Sequence, residues 1–132
     1  MEIRILRESA SKRVLRQESL EEAIPFFDIE MVSHRSYLAA IESGCVVGLV
    51  SFVESSMRVP GALGVGFVST HSGHRGCGVA RRMLEALYEL AAHENKPIAM
   101  SAYEPDGERW LRPLLAKLSL QNPHVRLFEA AS

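Results

Sequence analysis

Between Gly73 and Gly78 the chain packs three glycines, His74 and Arg75 into six positions, then runs directly into Val79-Ala80-Arg81. The residues that follow repeat at helical spacing. Ala80, Met83, Leu84, Leu87 and Ala91 share one face, and Arg81, Arg82, Glu85 and Glu89 the other. A helix start carries N–H groups without intrahelical partners and a partial positive charge, so it attracts anions. Gly76 and Gly78 lack the Cβ that would keep a bulky anion off the backbone, and Arg75 and Arg81 place charge on either side of the turn. Such a segment is shaped to hold a phosphate or pyrophosphate.

Two familiar phosphate loops do not fit. A Walker A loop ends in Gly-Lys-Ser/Thr, whereas Gly78 is followed by Val79-Ala80. A dinucleotide fingerprint opens a parallel βαβ unit, with an acid about 20 residues on. Here the loop follows three runs that read as consecutive antiparallel strands: Ser36 to Glu42, Cys45 to Glu54 and Ala62 to Thr70.

The remaining elements frame that loop. Met1 to Leu6 alternates like a half-buried strand, and Ser9 to about Ser33 reads as two helical pieces, with Pro25 blurring their boundary. Ser43-Gly44 turns a hairpin whose second strand is almost wholly apolar, as for a central strand buried on both faces. Gly64 and Gly66 mark a bulge, or a close approach of backbone or ligand, in the strand before the loop. Val79 to Glu94 is a helix stopped by Asn95 and Pro97. Pro97 to Tyr103 is a strand, Pro105 to about Leu118 a helix kinked or interrupted at Pro113, and His124 to Glu129 a last strand. The order β-α-α-β-β-β-α-β-α-β describes one α/β (α+β) domain over residues 1–132, a mixed, mostly antiparallel sheet flanked by helices.

Arg75-Gly76-Cys77-Gly78-Val79-Ala80, in that order of elements, resembles the Arg/Gln-x-x-Gly-x-Gly/Ala loop of the GNAT superfamily of N-acetyltransferases. The resemblance covers roughly Ser36 to Tyr103. It implies that the loop, with His74 and Arg81 at its flanks, binds the pyrophosphate of acetyl-CoA as cosubstrate. It also implies that Val68, Ser69 and Thr70 line the pantetheine arm, with main-chain groups of Val68 and Thr70 binding the arm and polarising the thioester carbonyl. The acetyl group then passes by direct attack to a primary amine, on a small molecule, peptide or protein. A catalytically degenerate member that binds CoA as a regulatory module, or a nucleotide-binding module without acetyl transfer, fits the same loop.

Amide formation needs a base for the ammonium and has use for an acid at the departing thiolate. Many family members carry a tyrosine for the second task in the helix after the fifth strand, but Pro105 to Leu118 holds none, only Trp110 and Leu111 near its place. Tyr103 is the nearest replacement, as a proton donor or as a packing residue. Glu54, His71 and His74 are candidate bases; histidine titrates in the useful range, whereas Glu54 would need a raised pKa or a water relay. Each is equally readable as a solvated side chain. His71, His74, Cys77 and Cys45 contain zinc-type ligands without the paired spacings of zinc sites, so no metal is expected.

Whole-chain properties restrict the partners. A formal net charge of -1 over 132 residues argues against nucleic acid, which favours a basic excess. Two cysteines imply no disulfide framework, and charges interrupt Met1 to Leu15 too often for a signal peptide. Cys45 to Val53, the longest apolar run, is too short to span a bilayer. A cytoplasmic protein without a membrane partner is the expectation, and a homodimer through the C-terminal region is implied by the resemblance. Glu21, Glu22, Asp28, Glu30, Glu42 and Glu54 give the acceptor side an acidic bias, which suits a cationic amine and equally a solvated helix face.

Overall fold

The computed structural model describes residues 1–7, 35–70, 78–100 and 105–129. Within them the chain forms β1 (Glu2–Leu6), β2 (Ser36–Glu42), β3 (Cys45–Val53), β4 (Leu63–Thr70), α1 (Val79–Glu94), β5 (Ile98–Met100), α2 (Pro105–Gln121) and β6 (Leu127–Phe128). The six strands make one sheet in sequence order. β1 to β4 pair antiparallel, and β4–β5 and β5–β6 pair parallel. This is the mixed α/β sheet expected. The two helices anticipated between Ser9 and Ser33 fall outside the described residues.

Local chemistry accounts for most boundaries. Ser43 and Gly44 both take positive φ, 53° and 78°, the geometry of a tight hairpin turn. β3 is buried on both faces, with Val46, Leu49, Val50 and Phe52 fully covered. α1 lays Met83, Leu84, Leu87 and Ala91 on the sheet as its periodicity requires, and Val79, Tyr88 and Leu90 join them. At its end Asn95 turns left-handed (φ 54°), and the N–H groups of Asn95 and Lys96 donate to the carbonyls of Ala92 and Ala91. α2 packs beside it through Leu111, Leu115 and Leu118. The Tyr88 hydroxyl donates to Leu115 O at 3.3 Å and shares a 2.6 Å bond with Ser119 Oγ, locking the two helices together.

The fifth strand is described over Ile98–Met100, and the remainder of the run expected to Tyr103 lies outside the described residues. Two expectations are corrected. α2 runs through Pro113 without interruption. A proline inside a helix costs about 3 kcal/mol, but this one is on the exposed face while Leu111 and Leu115 are buried beside it. The last strand begins at Leu127, because Val125 N–H donates to Asn122 O and holds His124 in a turn.

Candidate cofactor site

Gly48 brings the two ends of the glycine loop to one place. It pairs with Thr70, the last residue of β4. A Cβ on Gly48 would lie 2.8 Å from Met83 Cε and 2.9 Å from Val79 Cγ1, so the first turns of α1 rest directly on the β3 backbone. The loop therefore leaves β4 and re-enters α1 above the same point of the sheet.

The start of α1 has no side-chain cap from Gly78. That residue sits at φ 78°, ψ 11°, a left-handed conformation that favours glycine. Its carbonyl accepts the first helical bond, from Arg82 N–H at 3.1 Å. The N–H groups of Val79, Ala80 and Arg81 precede that first bond and have no acceptor within the helix. The first turn also has no acid, only Arg81 and Arg82, both exposed. Those charges oppose the helix dipole, an arrangement an incoming anion relieves. Arg81 Nε meanwhile bonds Glu85 Oε1 at 3.0 Å along the exposed face.

β4 supplies a second set of donors. Leu63 N–H points to Pro97 O on the β5 side at 2.9 Å. Opposite Ser51 the register then slips: Val50 pairs with Val68 but Phe52 with Val65, so Gly66 and Phe67 form a bulge against a single β3 residue. Phe67 N–H turns toward β3 and donates to Ser51 Oγ at 2.9 Å. Since N–H groups alternate along a strand, those of Val68 and Thr70 face away from β3, while Ser69 faces Leu49. On the open side β5 pairs only as far as Val65↔Met100. Beyond that point no described strand lies beside Val68 and Thr70. The end of β5 is held by Arg58, whose Nη2 donates to Met100 O (3.0 Å) and Glu129 O (2.8 Å). The described β4–β5 pairing thus ends at Val65↔Met100, and the outward amides of Val68 and Thr70 lead along β4 toward the start of α1.

Of the residues singled out from the sequence, Val68, Ser69 and Thr70 end β4 and Gly78, Val79, Ala80 and Arg81 begin α1. His71, His74, Arg75, Gly76, Cys77 and Tyr103 lie outside the described residues. Glu54 stands apart from the α1 start. It follows β3 at the end opposite Gly48, six residues or about 20 Å along the strand. Its carboxylate pairs with Arg7 and lies 3.7 Å from Lys96 Nζ, which also donates to Glu54 O at 3.0 Å. Arg7 reaches Glu94 as well, at 2.8 Å, and Glu94 first, then Glu54, hold its guanidinium above its usual pKa against the opposing effect of burial. Trp110 is 42% exposed on α2. Ser51, Phe67 and Arg35 had not been singled out; the glycine at 66 was their one signal.

A six-stranded sheet that changes from antiparallel to parallel pairing at β4, with α1 following β4, is a fold shared with solved acetyltransferase structures. Residues 8–105 match the family model of the acetyltransferase (GNAT) domain, and the chain belongs to that family. No curated protein sequence matches it. The fold is similar to that of ribosomal-protein-alanine N-acetyltransferase from Brucella melitensis biovar Abortus 2308 (20% identity, 100% of this chain and 93% of that one, TM-score 0.58). It is also similar to an aminoglycoside acetyltransferase from an uncultured soil metagenomic sample (19% identity, 89% of each chain, TM-score 0.58). A third similar structure is an aminoglycoside 6'-N-acetyltransferase complexed with coenzyme A (16% identity, 73% of this chain and 58% of that one, TM-score 0.51). No helix among the described residues is long and apolar enough to cross a membrane.

Proposed function

We propose that this protein transfers the acetyl group of acetyl-CoA to a primary amine. The observation that carries the reading is the junction at Gly48, where the outward amides of β4 and the uncapped start of α1 come together. The pyrophosphate takes the N–H groups of Val79 to Arg81 and the Gly73 to Gly78 loop. The pantetheine arm runs along Val68 and Thr70, and an outward amide there donates to the thioester oxygen as negative charge develops on it.

The ammonium first loses a proton to a base, for which His71 and His74 at the loop are the nominees. The amine nitrogen then attacks the carbonyl carbon and the N–C bond forms. The nitrogen gives up its second proton to solvent, or to the same base once that base has shed the first, and the C–S bond breaks. The thiolate leaves and takes a proton, for which Tyr103 is the nominee. The products are an N-acetyl amide, CoA and one released proton.

Acetyl-CoA consumption against spermidine, a lysine peptide, a peptide N-terminus, an aminoglycoside and small amino acids tests this reading. Turnover that depends on an amine supports it. Tight acetyl-CoA binding with no turnover on any acceptor would instead make the protein a CoA-binding module.

A further inference from the structure

The N–H groups of β4 change sides at the bulge, and one side chain stands where they change. Leu63 N–H faces β5, donating to Pro97 O at 2.9 Å. In an unbroken strand the N–H groups alternate, so Val65, Phe67 and Ser69 would follow Leu63 toward that side, and Gly66, Val68 and Thr70 would face β3. The register slip between Val50 and Phe52 sets one extra residue opposite Ser51 and reverses that phase. Phe67 N–H now faces β3, and those of Val68 and Thr70 face away from it.

The acceptor of the turned N–H is a side chain, not the β3 backbone. Ser51 Oγ accepts from Phe67 N–H at 2.9 Å. Ser51 is fully covered, one of two buried serines among the described residues. A Cβ on Gly66 would lie 2.5 Å from that same Oγ, so the hydroxyl and the glycine are a matched pair inside the bulge. Tyr37 pairs with Ser51 from β2, and its ring lies 6.2 Å from the Phe67 ring, which seats the side chain of the bulge at the same level. An N–H turned into the sheet is costly once its acceptor is removed. Without the Ser51 oxygen, the Phe67 amide regains the phase that Leu63 sets. Val68 and Thr70 then turn toward β3, and Phe67 and Ser69 face outward in their place.

We propose that Ser51 is a positioning residue for acetyl transfer: by taking the Phe67 N–H it sets the phase of β4 and selects the Val68 amide as the donor to the thioester oxygen. The inference rests on the acetyltransferase reading. Ser51 exchanges no proton in the step, and its effect passes through the β4 backbone.

The test removes the oxygen and restores it. Ser51→Ala deletes the acceptor, Ser51→Thr keeps a hydroxyl on the same Cβ, and Ser36→Ala, at the other buried serine, controls for the loss of a buried hydroxyl. Amide resonances are followed as acetyl-CoA is added. In the unaltered protein and in Ser51→Thr the shifts should fall on Val68 and Thr70, whereas in Ser51→Ala they should move to Phe67 and Ser69. In Ser51→Ala kcat should fall about tenfold or more, and by more than KM for acetyl-CoA rises, because a donor to the developing oxyanion acts mainly in the transition state. Ser51→Thr should recover most of that loss, and Ser36→Ala should show none of it. Hydrogen exchange adds a measurement that needs neither turnover nor a folded Ser51→Ala: the Phe67 amide of the unaltered protein should be strongly protected. A Phe67 amide that exchanges as fast as an exposed loop amide would overturn the proposal, and so would shifts that stay on Val68 and Thr70 in Ser51→Ala. If no acceptor turns over, the acetyltransferase reading fails by itself. Phe67 protection lost in Ser51→Ala and kept in Ser51→Thr would then still uphold the role of Ser51 in the bulge, and equal protection in both would end it.

Discussion

The two ends of the β3–β4 ribbon are built on opposite terms. At the Glu54 end the charges pair with one another. Arg7 from the end of β1 bridges Glu54 and Glu94, and Lys96 lies 3.7 Å from both carboxylates, although Glu94 Oε2 is buried without a hydrogen bond among the described residues. At the Gly48 end Arg81 pairs with Glu85 along the exposed face of α1, away from the helix start. α1 begins on an uncapped glycine, with basic side chains where acids would be favourable, and β4 turns two amides away from β3 beyond its described pairing with β5. A helix or strand end that a fold satisfies internally serves the fold. One whose donors are aligned and left over serves a ligand.

The largest expected effect comes from disturbing the point that assembles the open end. Gly48→Val drives a branched side chain into Met83 and Val79 and should destabilise the protein by about 3 kcal/mol, read from the denaturant midpoint. Acetyl-CoA binding should weaken with it, as the start of α1 lifts away from Thr70. An unchanged midpoint would mean that α1 does not depend on that contact.

Gly78→Val acts on the loop itself and should weaken acetyl-CoA binding at least tenfold, about 1.4 kcal/mol, by calorimetry. Gly44→Val is its control, because Gly44 has the same φ of 78° and equally open space but sits in the hairpin. Both should lose stability to backbone strain, roughly 1–2 kcal/mol. Only Gly78→Val should lose affinity, and equal affinities in the two variants would place the anion elsewhere.

Proton transfer divides the ends in the same way. Tyr103→Phe should lower turnover severalfold with acetyl-CoA affinity nearly intact, the pattern of an interaction used mainly in the transition state. Glu54→Gln should cost less than about 1 kcal/mol of stability, since the pair is half exposed, and leave turnover close to normal. A collapse of turnover in Glu54→Gln would return Glu54 to the role of base. The smallest effect is that of salt. Screening at 1 M should take a few tenths of a kcal/mol from the Glu54 end.

Much of this was readable from the chain because the signals were local. The Ser43-Gly44 turn, the buried β3 and the amphipathic α1 each follow from neighbouring residues. What escaped depends on distant partners. Glu54 looks like a free strand-end acid until Arg7, 47 residues away, folds onto it. Gly66 announced a bulge or a close approach of backbone or ligand; the bulge occurs, but the groups that come close are the Arg35 and Ser51 side chains, which nothing in the sequence identifies. α2 passes through Pro113 because packing along its buried face outweighs one missing bond, a balance that proline alone does not reveal.

The central claim is that the Gly48 end, and not the Glu54 end, holds acetyl-CoA. Backbone amide resonances of the isotope-labelled protein, followed while acetyl-CoA is added, test it directly. The account predicts large shifts for Val68, Thr70, Gly78, Val79, Ala80 and Arg81, with Glu54, Glu94 and Lys96 little moved. Shifts centred on Glu54 and Lys96, with the start of α1 unmoved at saturation, would contradict it.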